Sequence, residues 1–186
     1  MHALKRFSAA LLLLISLSCV AVAQSEMMQS GRDMIGIGIK ALVPTGNFAN
    51  THNIGFGISG MDEFVISDRF GIGVELSYMR WAAKDNPILQ TGRERESVRT
   101  SINLTAGPRY YFGLFYASLE AGLFYGSRTF TIVGGTGSEQ FAETYRFGVV
   151  PGVGLHIGIL ELSAEYSFVA EAQWLTFRAG VYFLRF

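Results

Sequence analysis

Residues 66–78 read Ile66-Ser67-Asp68-Arg69-Phe70-Gly71-Ile72-Gly73-Val74-Glu75-Leu76-Ser77-Tyr78. From Gly71 on, Ile72, Val74, Leu76 and Tyr78 alternate with Gly71, Gly73, Glu75 and Ser77. A period of two puts the two sets on opposite faces of a β-strand. Ser67-Asp68-Arg69 supplies a tight turn before it.

The same pattern runs outward in both directions. Ile35, Ile37, Ile39, Ala41 and Val43 alternate with Gly36, Gly38 and Lys40, ending at Pro44-Thr45-Gly46-Asn47. Ile54, Phe56 and Ile58 alternate with Gly55, Gly57 and Ser59. Downstream, further alternating runs are anchored by Ile102–Tyr110, Phe115–Leu123, Tyr145–Leu155, Leu160–Phe168 and Leu175–Phe183. This makes eight strands. The 163 residues that follow residue 23 then allow about 20 per strand and connection, a fit to a small closed barrel. Pro108 and Pro151 fall inside strands, where a residue without an N–H marks an irregularity in the ladder.

The two faces separate membrane from soluble barrels. A soluble barrel, lipocalin-like, would turn the apolar face inward and the other to water. Here the other face is mostly Gly and Ser with a few charges, a poor solvated exterior but a good lining for a narrow barrel. The apolar face has branched residues mid-strand and aromatics towards the ends: Tyr78, Tyr110, Phe115, Tyr145, Tyr166, Phe168 and Phe183. That is the distribution of a lipid-facing exterior with two aromatic girdles.

Connection lengths agree. Short links near Ser67, Gly113 and Gly158 alternate with long ones at Thr45–Asn53, Ala82–Glu96 and Ser127–Ala142, and a lesser one at Ala170–Gln173. Membrane barrels have short periplasmic turns and longer extracellular loops. On this strand pattern, the Ile66–Phe70 turn and the terminal Phe186, the chain resembles the OmpA/OmpX-type eight-stranded outer-membrane barrels. It is especially similar to the stand-alone outer membrane protein beta-barrel domain proteins of Gram-negative bacteria. The resemblance implies an all-β, up-and-down antiparallel transmembrane barrel over residues 34–186, preceded by a short periplasmic segment at 24–33. It implies contact with outer-membrane lipid and lipopolysaccharide, and an insertion machinery that reads Phe186. Phe186 does share the parity of Arg178 and not that of the lipid-facing set. The chain ends with the barrel, so the peptidoglycan-binding domain of OmpA is not expected.

Residues 1–23 read as a cleaved signal peptide. Lys5 and Arg6 precede the apolar run Ala9–Leu17, and Ala21-Val22-Ala23 is a small-x-small cleavage site. An uncleaved anchor is the rival, but the run is short for the ~20 residues that span a bilayer. Lipidation at Cys19 is a second rival, with Ser16 standing where a branched residue is usual. Composition excludes other classes. The whole chain has 15 basic and 15 acidic residues, so nothing favours nucleic acid, and its single Cys forbids a disulfide scaffold. At 49% hydrophobic it is not disordered.

The predicted interior carries Lys40, Glu75, Arg109, Glu120, Arg146, Glu161, Glu165 and Arg178. Buried charges are costly unless paired, so cross-strand ion pairs filling the lumen are the first reading. A narrow channel or transporter for small or apolar solutes is the second, with the charges as a polar track for a small ion or a gated channel; an eight-stranded barrel is too narrow for an open pore. A lipid A-modifying enzyme is a further alternative. Deacylase-type barrels place Ser two residues after His, whereas His156 is followed there by Gly158. His156 reads as a lining residue near the periplasmic end. His52, in the first outer loop with Asp62 and Glu63 nearby in sequence, has no matching Ser spacing. No metal-ligand spacing occurs, and Gly134-Gly135-Thr136-Gly137 lacks the Lys-Ser/Thr ending of a phosphate loop. The expectation is therefore a non-enzymatic envelope protein without cofactor, with outer loops available to an unknown surface ligand. The Arg93-Glu94-Arg95-Glu96 run is a solvated extension or a contact for lipid phosphates.

Overall fold

The computed structural model describes residues 32–84, 90–91, 94–132, 138–170 and 172–185. The signal-peptide segment with Cys19, residues 24–31, Arg93, the 134–137 glycine run and Phe186 lie outside the described residues.

The strands are β1 (Arg32–Thr45), β2 (Gly55–Ser67), β3 (Phe70–Ala82), β4 (Gln90–Thr91), β5 (Glu94–Phe112), β6 (Phe115–Ile132), β7 (Ser138–Ile157), β8 (Leu160–Val169) and β9 (Ala172–Arg185). One short helix, α1 (Gly46–Thr51), follows β1. Each long strand pairs antiparallel with its chain neighbours, and β1 pairs with β9 to close the sheet. β4 is a two-residue addition to β5, so the barrel itself has eight strands. Among the described residues, closure leaves no open sheet edge around the barrel itself, the condition for crossing a bilayer with strands.

Two-residue turns at 68–69, 113–114 and 158–159 lie at one end, with the ends of β1 and β9. Gly113 and Gly158 take the left-handed conformation there, φ 74° and 63°, which tight hairpins require. At the other end the connections are longer, but more regular than the sequence pattern indicates. The Thr45–Asn53 link contains α1. β6 runs to Ile132 and β7 starts at Ser138, so the expected Ser127–Ala142 loop is largely a strand extension. β1 begins at Arg32, inside the segment expected to be periplasmic.

β2 corrects the sequence reading most. Its apolar alternation stops at Ser59 in the sequence, which leaves Asp62 and Glu63 as neighbours of His52 and outside any strand. The strand instead continues to Ser67, with Gly60 and Asp62 facing out and Glu63 facing in. Two outward positions without an apolar side chain break the pattern before Phe64 and Ile66 resume it. The two prolines sit at gaps in pairing: Pro108 where β5–β6 pairs skip from Ala106 to Arg109, Pro151 where β7–β8 pairs skip from Val149 to Gly152.

The apolar set faces outward, as in a membrane barrel. Ile39 is 68% exposed and Phe56 70%, whereas Arg109 is 1% and Glu63 0% exposed. Near the turns the exterior carries Phe64, Phe70, Tyr110, Phe112, Phe115 and Phe183; towards the far end it carries Phe56, Tyr78, Tyr145, Tyr166 and Phe168. An exterior this apolar suits hydrocarbon and not water, so the molecule is a membrane-spanning barrel. No helix among the described residues is long and apolar enough to cross a membrane.

Candidate functional site

The barrel interior is a closed ionic network. Lys40 on β1 contacts Glu75 on β3 and lies 3.7 Å from Glu165 on β8. Arg178 on β9 touches Glu75 and lies 2.6 Å from Glu161 and 3.0 Å from Glu165. Arg109 on β5 reaches Glu63 at 3.0 Å, Glu120 at 3.2 Å and Glu161 at 3.6 Å. Seven of the eight charges read from the sequence thus converge, and Glu63 joins them.

Arg146 does not join. Its side chain is on the inward parity of β7 but lies beyond the network, at the loop end, where Nη1 donates to the Ala170 carbonyl at 2.5 Å. Strand alternation gives the face of a residue, not its height along the axis, and height separates Arg146 from the carboxylates.

The network holds five carboxylates, at Glu63, Glu75, Glu120, Glu161 and Glu165, and three basic side chains, at Lys40, Arg109 and Arg178. Hydroxyl groups supply further donors. Tyr111 donates to Glu63, Tyr116 to Glu161, Thr105 to Glu120 at 2.8 Å and Ser163 to Glu165 at 3.0 Å. Arg109 also donates to the Tyr182 hydroxyl at 3.0 Å and lies 5.1 Å above the Tyr116 ring. Buried charges become tolerable when each is paired and its remaining hydrogen-bonding capacity is used. These tyrosines share the parity of the lining; a filter for inward polar aromatics, beyond formal charge, would have found them.

The inward glycines have a specific role here. A Cβ at Gly73 would lie 2.6 Å from Arg109 Nε, one at Gly38 would lie 3.1 Å from Arg178 Cδ, and one at Gly154 would lie 2.3 Å from the Tyr116 ring. Each glycine is the floor on which a long side chain from another strand rests.

The network is covered at both ends. At the turn end, His156 packs against Tyr111, Tyr116 and Tyr182, with ring centroids 6.2, 5.9 and 5.0 Å away. Its Nε2 lies 3.6 Å from Glu161, so it is a buried lining residue as its parity implies. At the loop end, Leu42, Phe48, Met79, Trp81, Phe124, Val150, Val169, Ala172 and Trp174 form an apolar layer. α1 delivers Phe48 into it, 5.5 Å from Trp81, and Trp81 stands 5.1 Å from Trp174. His52 closes this corner, its ring 4.3 Å from Phe48 and its Nδ1 2.8 Å from the Thr51 hydroxyl. A void of about 20 Å³ in the loop-end layer and one of about 10 Å³ between that layer and the network, beside Lys40, Glu75 and Glu120, are near the size of single waters. No group of three His, Cys, Asp or Glu side chains among the described residues is placed to hold a metal ion.

Solved structures share this architecture. The chain is similar to Ail, the attachment invasion locus protein of Yersinia pestis, at 15% identity and TM-score 0.60, covering 85% of this chain and 100% of that one. The same protein in complex with the heparin analogue sucrose octasulfate gives TM-score 0.61 at the same identity and coverage. Neisserial surface protein A is similar at 16% identity and TM-score 0.54, over 84% of this chain and 98% of that one. No protein-family model and no curated protein matches the sequence. The fold is therefore that of the eight-stranded outer-membrane β-barrels, and the resemblance to the OmpA/OmpX type holds at the level of architecture.

Proposed function

We propose that this protein is a non-enzymatic barrel of the Gram-negative outer membrane whose work is done at the cell surface, by the extensions of β5, β6 and β7. One observation carries the reading. The lumen is filled by paired charges and capped by packed aromatic layers, while the β5–β6 and β6–β7 ladders continue to Glu94–Ile132 and Thr131–Ser138. An interior so occupied supports a rigid scaffold, and loops on rigid scaffolds are where binding residues concentrate. Ail, named for attachment and invasion, has the same architecture and has been crystallised with a sulfated ligand, in keeping with a surface-contact role. On this reading residues 1–23 direct export, the insertion machinery reads Phe186, and no cofactor is used.

The test is a binding screen. The full chain, produced in a Gram-negative host, is recovered from outer-membrane fractions and placed in lipid discs. It is assayed against sulfated polysaccharides and matrix proteins, beside a variant with residues 128–141 replaced by a short turn. Binding that disappears in the variant supports the reading. Recovery of the protein in the soluble periplasm would overturn it, and hydrolysis or acyl transfer on lipid A by the purified protein would replace it with an enzymatic one.

A further inference from the structure

On the barrel exterior, just above the apolar belt at the loop end, lies a groove of about 620 Å³ between β3, β5 and β6. Its chemistry changes along its length. Ile102 and the Tyr78 ring line the side towards the belt; Arg80, Thr100, Ser127 and Thr129 line the side away from it. Arg80 is exposed, faces outward, and lies in register between Phe56 on β2 and Thr100 on β5. Among the described residues it has no hydrogen-bond or ion-pair partner. No acidic residue is among the described residues that line the groove. The Thr100 and Ser127 hydroxyls, 2.6 Å apart, add a pair of polar groups beside the Arg80 position.

We infer that this groove binds a phosphomonoester-bearing lipid of the outer leaflet, its doubly charged phosphate on Arg80 and its acyl chains running from Ile102 onto Leu76 of the neighbouring belt. The inference rests on the membrane orientation proposed above. A guanidinium fork matches two phosphate oxygens. Tyrosines at a membrane–water boundary place their rings in the apolar layer and their hydroxyls at headgroup level, where Tyr78 and Tyr125 stand. A free phosphate gains little from one exposed arginine in water. A lipid adds contact along the belt, where Leu76 and Ile102 are both exposed, and it is already concentrated at that depth.

The experiment uses the barrel in phosphatidylcholine discs doped with diphosphorylated lipid A. Lipid retained per barrel is counted by native mass spectrometry after transfer to detergent. Wild type is expected to keep lipid A in preference to phosphatidylcholine. Arg80→Gln is expected to lower its retention about tenfold, the size of one lost charge-assisted contact, with Arg80→Lys keeping more than Arg80→Gln. Lipid A stripped of phosphate should be retained as poorly by wild type as lipid A is by Arg80→Gln. Equal retention by wild type and Arg80→Gln overturns the site, as does equal retention of phosphatidylcholine. Full displacement of lipid A by inorganic phosphate would make it a free-anion site instead. A wild-type barrel that never inserts overturns the membrane reading and this one with it; insertion without lipid preference overturns only this one. Heat-shifted gel mobility of each variant confirms that the barrel is folded.

Discussion

Arg109 on β5 reaches Glu63 on β2 at 3.0 Å by crossing the strand between them. The crossing is possible because β3 presents Gly71 and Gly73 at that point; a Cβ on either would lie 3.1 Å from Glu63 Oε1 or 2.6 Å from Arg109 Nε. A bond over an intervening strand ties three strands together, which cross-strand neighbours alone do not do.

Gly73→Val should therefore lower the unfolding free energy by about 1–3 kcal/mol through overpacking against Arg109. Gly60 faces outward on β2, and a methyl group added there would meet no atom within 4 Å. Gly60→Ala should stay within about 0.5 kcal/mol of wild type. Urea unfolding in lipid vesicles measures both, and equal effects would show that the glycine floor has no packing role.

Removing Arg109 leaves Glu63 and Glu120 each without their arginine. Arg109→Ala is expected to cost about 3–5 kcal/mol, the range for breaking a buried pair from one side. Glu120→Ala leaves Arg109 with Glu63 and Glu161, so about 1–3 kcal/mol is expected. The same urea titration reads both, and an Arg109→Ala loss no larger than that of Glu120→Ala would show that Arg109 is not the hub.

Arg146→Ala gives the contrast. Its guanidinium binds a carbonyl at the barrel mouth, and a loss below about 1 kcal/mol is expected. A loss as large as that of Arg109→Ala would place Arg146 in the same energetic unit as the buried network.

Asp62 faces outward between Gly60 and Phe64, with Ile35 and Val74 as its cross-strand neighbours. A carboxylate on the lipid face costs less than the ~2–4 kcal/mol of a basic residue at the midplane, but it costs. Asp62→Leu should raise the unfolding midpoint in vesicles; a lowered midpoint would show that Asp62 has a stabilising partner in the membrane.

The packed aromatic layer of Phe48, Trp81, Phe124 and Trp174 should block ion passage. Purified barrel in planar bilayers is expected to give no single-channel steps. Discrete steps that respond to Trp81→Ala would restore the reading of the lumen as an ion track.

Alternation along one strand determined most of the fold. Ile72, Val74, Leu76 and Tyr78 needed only their period and chemistry to be placed on a lipid-facing exterior, because a strand's side chains alternate by covalent geometry. The order of short and long links followed from turn residues such as Gly113 and Gly158, and the inward parity of Lys40, Arg109, Glu161 and Arg178 from counting. Tertiary structure decided what counting cannot reach. Strand register and tilt set the height of each inward residue, which brought Glu63 and Tyr182 to Arg109 and left Arg146 at the mouth. Barrel closure put Lys40 and Arg178 in adjacent positions on β1 and β9, strands from opposite ends of the chain, with Glu75 between their charges. The same closure turned Phe48, on a helix that no apolar period announces, into part of a lid with Trp81 and Trp174. Period is a local property of the backbone, whereas pairing across a closed sheet depends on register and curvature, which are settled only when every strand has found its neighbours.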